Sequence, residues 1–221
     1  MTVMAKALEV EGYRVVNQRY ASTRDTIEVL VEESVTPAVE ACGDARVHFV
    51  THSMGGILAR FWLERNRPEK MGRVVMLGPP NQGSELVDAL KDLKPFEWVN
   101  GPAGLQLRTG DEGVPGNLGA AEFELGVIAG NQSINPIFSA VIGGENDGKV
   151  SVSSTYVEGM AAHLTLPVTH TFMMMNPLVI AQTLEFLQFG KFQEGMRFGE
   201  AVERLAGPAV AGIKDQLAPK R

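Results

Sequence analysis

Of the side chains in this 221-residue sequence that could carry out a reaction, Ser53 has the most distinctive surroundings. It lies within Arg46-Val47-His48-Phe49-Val50-Thr51-His52-Ser53-Met54-Gly55-Gly56-Ile57-Leu58-Ala59-Arg60. A β-branched and aromatic run stops at the serine, Gly55 and Gly56 follow, and Ile57, Leu58, Phe61 and Trp62 then recur at helical spacing. Strand, sharp turn and helix are the expected order. A serine in such a turn projects its hydroxyl clear of the sheet, and the glycines let neighbouring backbone come close. The helix behind it aims N–H groups and the positive end of its dipole at any negative charge formed there, with the Met54 N–H the first such donor. The chemistry this suits is nucleophilic attack. A serine that merely caps a helix is the plainer alternative, and the strand and glycine pair argue against it.

A serine hydroxyl is a weak nucleophile until a base removes its proton, and a carboxylate that orients the base and stabilises its cation completes the set. Four histidines are present. His48 falls inside the strand, where a packed histidine is expected, and His52 sits at the strand end, pointing elsewhere. His163 precedes the last predicted strand, whereas His170, in Pro167-Val168-Thr169-His170, follows it directly, where carboxyl-end loops gather reactive groups. His170 is the expected base. The acid is expected in Gly143-Gly144-Glu145-Asn146-Asp147-Gly148-Lys149-Val150, at Asp147, with Glu145 as the substitute, although Asn-Asp-Gly is also ordinary turn chemistry. The same stretch nearly spells a phosphate loop, but Val150 stands where Ser or Thr would hold magnesium, and a β-like Val150 to Val157 follows in place of a helix. No cluster has metal-ligand spacing and no glycine fingerprint suits a dinucleotide, so neither metal nor cofactor is expected. Asn131-Gln132-Ser133 is a glycosylation sequon of a length met often by chance.

Elements must carry these groups. Val3 to Glu11 reads as a helix stopped by Gly12, Tyr13 to Asn17 as a short strand, and Ile27, Leu30, Val31 and Ser34 as a helix that Pro37 kinks or restarts. Val74 to Leu77 and Leu125 to Gly130 are apolar runs fit for buried parallel strands, Leu86, Leu90 and Leu93 mark a helix between them, and Leu164 to Val168 is the last strand. Asn176-Pro177 caps a helix with the stripe Ile180, Leu184, Leu187. Strands alternating with helices imply an α/β fold with a mostly parallel sheet and helices on both faces. Residues 1–192 are expected to form that domain, with 95–122, including Phe96, Trp98, Leu105 and Leu107, as a small cap or substrate-lining loop. Residues 193–221 read as a tail with a short amphipathic helix interrupted at Gly207-Pro208.

A net charge of −6 with scattered lysines and arginines gives no footprint for nucleic acid. Cys42 has no second cysteine to pair with, and is expected as a small buried residue at a helix end. No run of about 18 apolar residues suggests an integral membrane segment, and the first residues lack a signal-peptide pattern, so a soluble, unexported, cytoplasmic chain is expected.

Together, Val50-Thr51-His52-Ser53-Met54-Gly55-Gly56, Leu77-Gly78-Pro79-Pro80-Asn81-Gln82-Gly83-Ser84, Asn146-Asp147-Gly148-Lys149-Val150-Ser151-Val152 and Pro167-Val168-Thr169-His170 resemble bacterial α/β-hydrolases of the triacylglycerol lipase and esterase type. His52-Ser53-Met54-Gly55 matches the last four positions of the G-x-S-x-G elbow, with Thr51 where the first glycine usually stands. The resemblance implies hydrolysis of carboxylic esters or lipids, with Ser53 as nucleophile, His170 as base and Asp147 as orienting acid. An acyltransferase or thioesterase would use the same nucleophile. Activity is then expected to rise with pH as His170 loses its proton, near the ordinary histidine range of about 6 to 7.

The departure is at the front. The resembled family normally begins with an apolar strand ending in a His-Gly loop, which supplies a second oxyanion donor besides Met54. That strand lies between those matching Tyr13 to Asn17 and Arg46 to His52, and this sequence shows neither strand nor loop. Weak activity, an inactive fragment or binding module, or an oligomer that fills the gap are the consequences expected. The apolar residues between Phe96 and Leu107, without a long lid helix, suggest a modest acyl pocket for short to medium chains.

Overall fold

The computed structural model describes residues 1–92 and 101–217, with side chains through residue 207. Four strands, β1 (Val47–His52), β2 (Met71–Leu77), β3 (Leu125–Gly130) and β4 (Ala162–Leu166), form a parallel sheet in the order β1-β2-β3-β4. The main helices are α1 (Thr2–Val10), α2 (Ile27–Leu30, continued by a π-helical segment Val31–Val35 and by Thr36–Glu40), α3 (Met54–Leu63), α4 (Glu85–Leu90), α5 (Pro136–Ile142), α6 (Pro177–Phe189) and α7 (Phe198–Leu217).

Because successive strand residues point to opposite faces, β2 feeds two cores. Val74 and Met76 pack with Ile27 and Leu30 of α2 and Ile57, Leu58 and Trp62 of α3. Val75 and Leu77 pack with Met4 and Leu8 of α1, Leu184 and Phe186 of α6, and Ala201 of α7. Helices therefore cover both faces, as a parallel sheet requires, and the apolar runs read in the sequence are the strands buried between them.

Most predicted elements lie where expected. α1 ends at Val10, with Gly12 at φ 89°. Pro37 opens the last turns of α2, after the π-helical segment in which the Ser34 hydroxyl donates to the Leu30 carbonyl. β4 starts at Ala162 and stops at Leu166, since Pro167 has no N–H to continue the ladder. Leu86 is buried in α4, and Leu93 lies outside the described residues.

Three expectations are corrected. Tyr13 to Asn17 is not a strand. A strand needs a neighbour to pair with, and the facing edge of β1 stands across a cavity of about 470 Å³ lined by Leu8, Tyr13, Val15, Val39, Phe49 and Thr51. Val150 to Val157 forms no strand either, contributing an isolated bridge, Asn146 to Ser151, and a 3-10 turn, Ser153–Thr155. Its hydroxyls take over the backbone: the Ser154 N–H donates to Ser151 Oγ at 3.1 Å and Thr155 Oγ1 donates to the Val152 carbonyl at 2.6 Å. Finally, α7 runs through Gly207-Pro208 without interruption, at the loss of one backbone hydrogen bond.

Of residues 95–122, Phe96 and Trp98 lie outside the described residues. Residues 101–105 are helical, and Ala103 and Leu107 are buried in the core that α2 and α3 share. Cys42 is half-buried at the cavity wall, its thiol 3.4 Å from the Ala38 carbonyl. Among the described residues, no helix is long and apolar enough to cross a membrane.

Candidate active site

All four strands run the same way, so the turns after β1, β2 and β4 and the loop after α5 meet at the carboxyl end of the sheet. Ser53 stands between β1 and α3 at φ 56°, ψ −130°, and is the one non-glycine residue at positive φ among the described residues. Holding a serine there costs about 1 to 3 kcal/mol. The surroundings enforce it: the Ser53 N–H donates to the Leu77 carbonyl at 2.9 Å, and the Ser53 carbonyl accepts from the Gly56 N–H at 2.9 Å. Gly56 admits the next loop, since a Cβ there would lie 3.0 Å from Pro79. Met54 is the first residue of α3, where a backbone N–H has no acceptor within the helix and is free to meet an anion.

His170 follows β4 and is buried, with 3% of its surface exposed. Its Nδ1 lies 2.7 Å from Asp147 Oδ2 and its Nε2 lies 2.9 Å from Ser53 Oγ. A carboxylate only accepts, so Nδ1 carries the proton and Nε2 offers a lone pair to the serine hydroxyl. Asp147, 2% exposed, also accepts the N–H groups of Lys149 at 3.0 Å and Val150 at 2.8 Å on Oδ1. Both carboxylate oxygens are thus satisfied. Glu145 is exposed and two residues from this network, its carbonyl bound to the Val152 N–H. The structure therefore brings together Ser53, His170 and Asp147, and leaves the substitute acid outside.

The other histidines have separate duties. His48 fills an irregularity in the β1–β2 pairing, where its Nδ1 accepts the Arg73 N–H at 3.0 Å. His163 stacks on Tyr156 at 3.9 Å and bonds Thr155 Oγ1 at 2.8 Å. Burial lowers the pKa of both. His52 Nε2 lies 3.0 Å from the His170 carbonyl oxygen, and burial, reinforced by the neighbouring His170, pushes its pKa down to about 3.

Several supporting residues escape a reading of residue types. Gly78, at φ 52°, ends β2 where a Cβ would lie 3.0 Å from Asp147 Oδ2 and 3.2 Å from His170 Nδ1. Gly130 ends β3, and a Cβ there would lie 2.4 Å from the Val168 carbonyl. Asp147 and His170 meet in space that only glycines leave open. Asn146 is buried and accepts the Gly148 N–H at 3.0 Å and the Ser139 hydroxyl at 2.9 Å, so it shapes the loop that holds Asp147. A glycine at each strand end and an Asn-Asp-Gly turn were the available signals. Among the described residues, no group of three or more His, Cys, Asp or Glu side chains could hold a metal ion.

Residues 17–111 match the sequence profile of the alpha/beta hydrolase fold. No curated protein matches the chain. Among solved structures, the mature form of the lipase BlEst2 from Bacillus licheniformis is similar at 18% identity and a TM-score of 0.61, covering 86% of this chain and 84% of its own. The phospholipase PlaB from Legionella pneumophila is similar at 17% identity and a TM-score of 0.63. That match covers 96% of this chain but 61% of PlaB, so the chain spans less than two thirds of that protein's length. With its parallel sheet, strand-to-helix serine turn and these likenesses, the chain has the α/β-hydrolase fold.

Proposed function

We propose that this chain is a serine hydrolase that cleaves carboxylic esters through Ser53, His170 and Asp147. The observation that carries the reading is the unbroken chain of hydrogen bonds from Asp147 to His170 to Ser53, ending on a serine held in a strained turn. In the first step His170 Nε2 takes the Ser53 proton as Oγ attacks the ester carbonyl, and Asp147 stabilises the imidazolium. The Met54 N–H faces the negative charge that develops on the former carbonyl oxygen. Collapse breaks the ester bond, the alcohol leaves with the proton from His170, and an acyl group remains on Ser53. Water, deprotonated by His170, then releases the acid and restores the serine.

The same geometry supports the EC 3.1.1 type of activity on small ester or lipid substrates, with short to medium acyl chains as the proposed range. The test is hydrolysis of a p-nitrophenyl ester series. Rates that fall off at long chains, with an initial burst of p-nitrophenol equal to the enzyme concentration, fit the reading. Rates that climb steadily with chain length, or jump at an oil interface, contradict the acyl range, and a chain with no turnover on any ester contradicts the activity.

One observation favours a second reading, that of an impaired catalyst. Among the described residues β1, which carries the nucleophile, pairs with β2 alone, and its other edge opens on the 470 Å³ cavity. A loop that would bring a second donor to the oxyanion belongs on that side, and a second copy of the chain is one way to cover it. Losing one such donor costs about 10²- to 10³-fold in rate with the three catalytic residues intact. A weak esterase is the proposed outcome for the chain alone.

A further inference from the structure

Ser53 is preceded by a histidine that does not face it. His52 Nε2 lies 3.0 Å from the backbone carbonyl oxygen of His170, 118 residues away, and the two imidazole rings are 4.7 Å apart, tilted by 46°. A carbonyl oxygen only accepts, so Nε2 of His52 carries a hydrogen and donates it. That nitrogen is therefore unavailable to take the serine proton.

We propose that His52 is a positioning residue for His170, holding the backbone of the base to the same strand end that carries the nucleophile. The inference rests on the reading of His170 as the base.

The hydrogen bonds around His170 give the argument. Its N–H donates to the Asp147 carbonyl at 3.0 Å, its Nδ1 donates to Asp147 Oδ2 at 2.7 Å, and its Nε2 meets Ser53 Oγ at 2.9 Å. These contacts involve the acid and the nucleophile, and the second and third are reorganised when protons move. The His52 contact is the one made by a group that takes no part in the reaction. It fixes the peptide plane that follows His170, at the start of a loop in which Thr171 and Phe172 are exposed. Since His52 and Ser53 are adjacent in the chain, a shift of β1 carries donor and nucleophile together, and the base stays in register with the serine.

The protonation of His52 suits this duty. The charged or titratable groups that face it are His170, Asp147 and Lys149. With its pKa near 3, the ring stays neutral while His170 takes up the serine proton, so no second positive charge opposes that step.

The test compares three variants with the wild-type chain. His52→Leu removes the donor, His52→Phe removes it but keeps a ring, and His52→Gln returns an N–H near the same place. The readouts are the rate of phosphonylation of Ser53 by a fluorophosphonate, split into binding and chemical steps, and the low-field proton resonance of His170 Nδ1–H, assigned by its loss in His170→Gln. We expect His52→Leu and His52→Phe to slow the chemical step about 10- to 100-fold with little change in binding, as for loss of an orienting contact. Their low-field resonance should broaden or shift. His52→Gln should recover most of the rate and restore the resonance. Should the leucine variant not fold, the phenylalanine variant carries the same expectation. Either of two results overturns the proposal: donor-free variants with wild-type rate and resonance, or a glutamine variant as slow as they are, which would make the role one of filling space. A wild-type chain that phosphonylates no faster than His170→Gln would instead sink the assignment of the base, and the resonance alone would then decide whether His52 orders His170.

Discussion

The carboxyl end of β1 and its outer edge differ in how complete they are. At its carboxyl end, Ser53, His170 and Asp147 are joined by hydrogen bonds of 2.7 and 2.9 Å, Asp147 and His170 are 2% and 3% exposed, and both oxygens of Asp147 are satisfied. Along its outer edge, the same strand has no partner among the described residues, and a cavity separates it from Tyr13 to Asn17. On the function proposed above, the proton-transfer half is built by the turns after β1 and β4 and the loop after α5, each satisfied by its own local bonds. On the same reading, Met54 supplies one oxyanion donor, and a second would come from backbone brought alongside β1. A fold can finish the first and leave the second open, because the two are held by different neighbours.

The sharpest way to break the comparison is to remove the finished half. Ser53→Ala and His170→Ala should each reduce kcat by about 10⁴-fold or more, and the double variant should be no worse than the worse single one, because the residues act as a unit. Losses that multiply would show that they work separately. Asp147→Asn should cost about 10³- to 10⁴-fold by favouring the wrong tautomer of His170, while Glu145→Gln, exposed and outside the network, should be nearly silent. A crippling Glu145→Gln beside a silent Asp147→Asn would reverse the assignment of the acid.

The open half is tested by filling it. A strand and glycine-containing loop joined ahead of Met1, or supplied as a peptide, should raise kcat by about 10²- to 10³-fold and change KM much less, since the added donor meets its partner in the transition state. A second N–H already within about 3 Å of the oxyanion position, from another loop or another copy of the chain, would contradict the predicted weakness.

The smallest effect concerns acid stability. His52 has an ordinary pKa of 6.5 and a folded value of about 3, so below pH 6.5 the unfolded chain binds a proton that the folded chain refuses. The contribution is whole above pH 6.5 and is lost as the pH falls toward 3. Urea midpoints should therefore drop more steeply between pH 7 and 4 in the wild type than in His52→Gln. His48 and His163, also lowered by burial, pull in the same direction in both proteins.

The parts that were legible in the sequence are those whose cause is local. β2 and β3 announce themselves as apolar runs, and the turn at Ser53 as a run that stops at a serine before two glycines. The expected order serine, acid, histidine pointed to Asp147 and His170, which the fold brings within hydrogen-bond reach of each other and of Ser53. What was not legible depends on partners far away in sequence. Tyr13 to Asn17 has strand-forming residues, yet its conformation is decided by whether a ladder lies beside it. Val150 to Val157 has the alternation of a strand, but Ser151 and Thr155 spend their hydroxyls on the backbone around them. The contact of His52 with His170 spans 118 residues, and the need for Gly78 and Gly130 appears only once Asp147, His170 and Val168 converge on them.

The central claim is that Ser53 is made nucleophilic by His170. The most direct measurement is covalent labelling of the purified chain with a fluorophosphonate, with the adduct located by mass spectrometry in the wild type and in His170→Ala. The account predicts one adduct per chain, on Ser53, formed at least about 10³-fold more slowly without His170. A wild-type chain whose Ser53 resists the reagent, or a His170→Ala chain that labels as fast as the wild type, would contradict it.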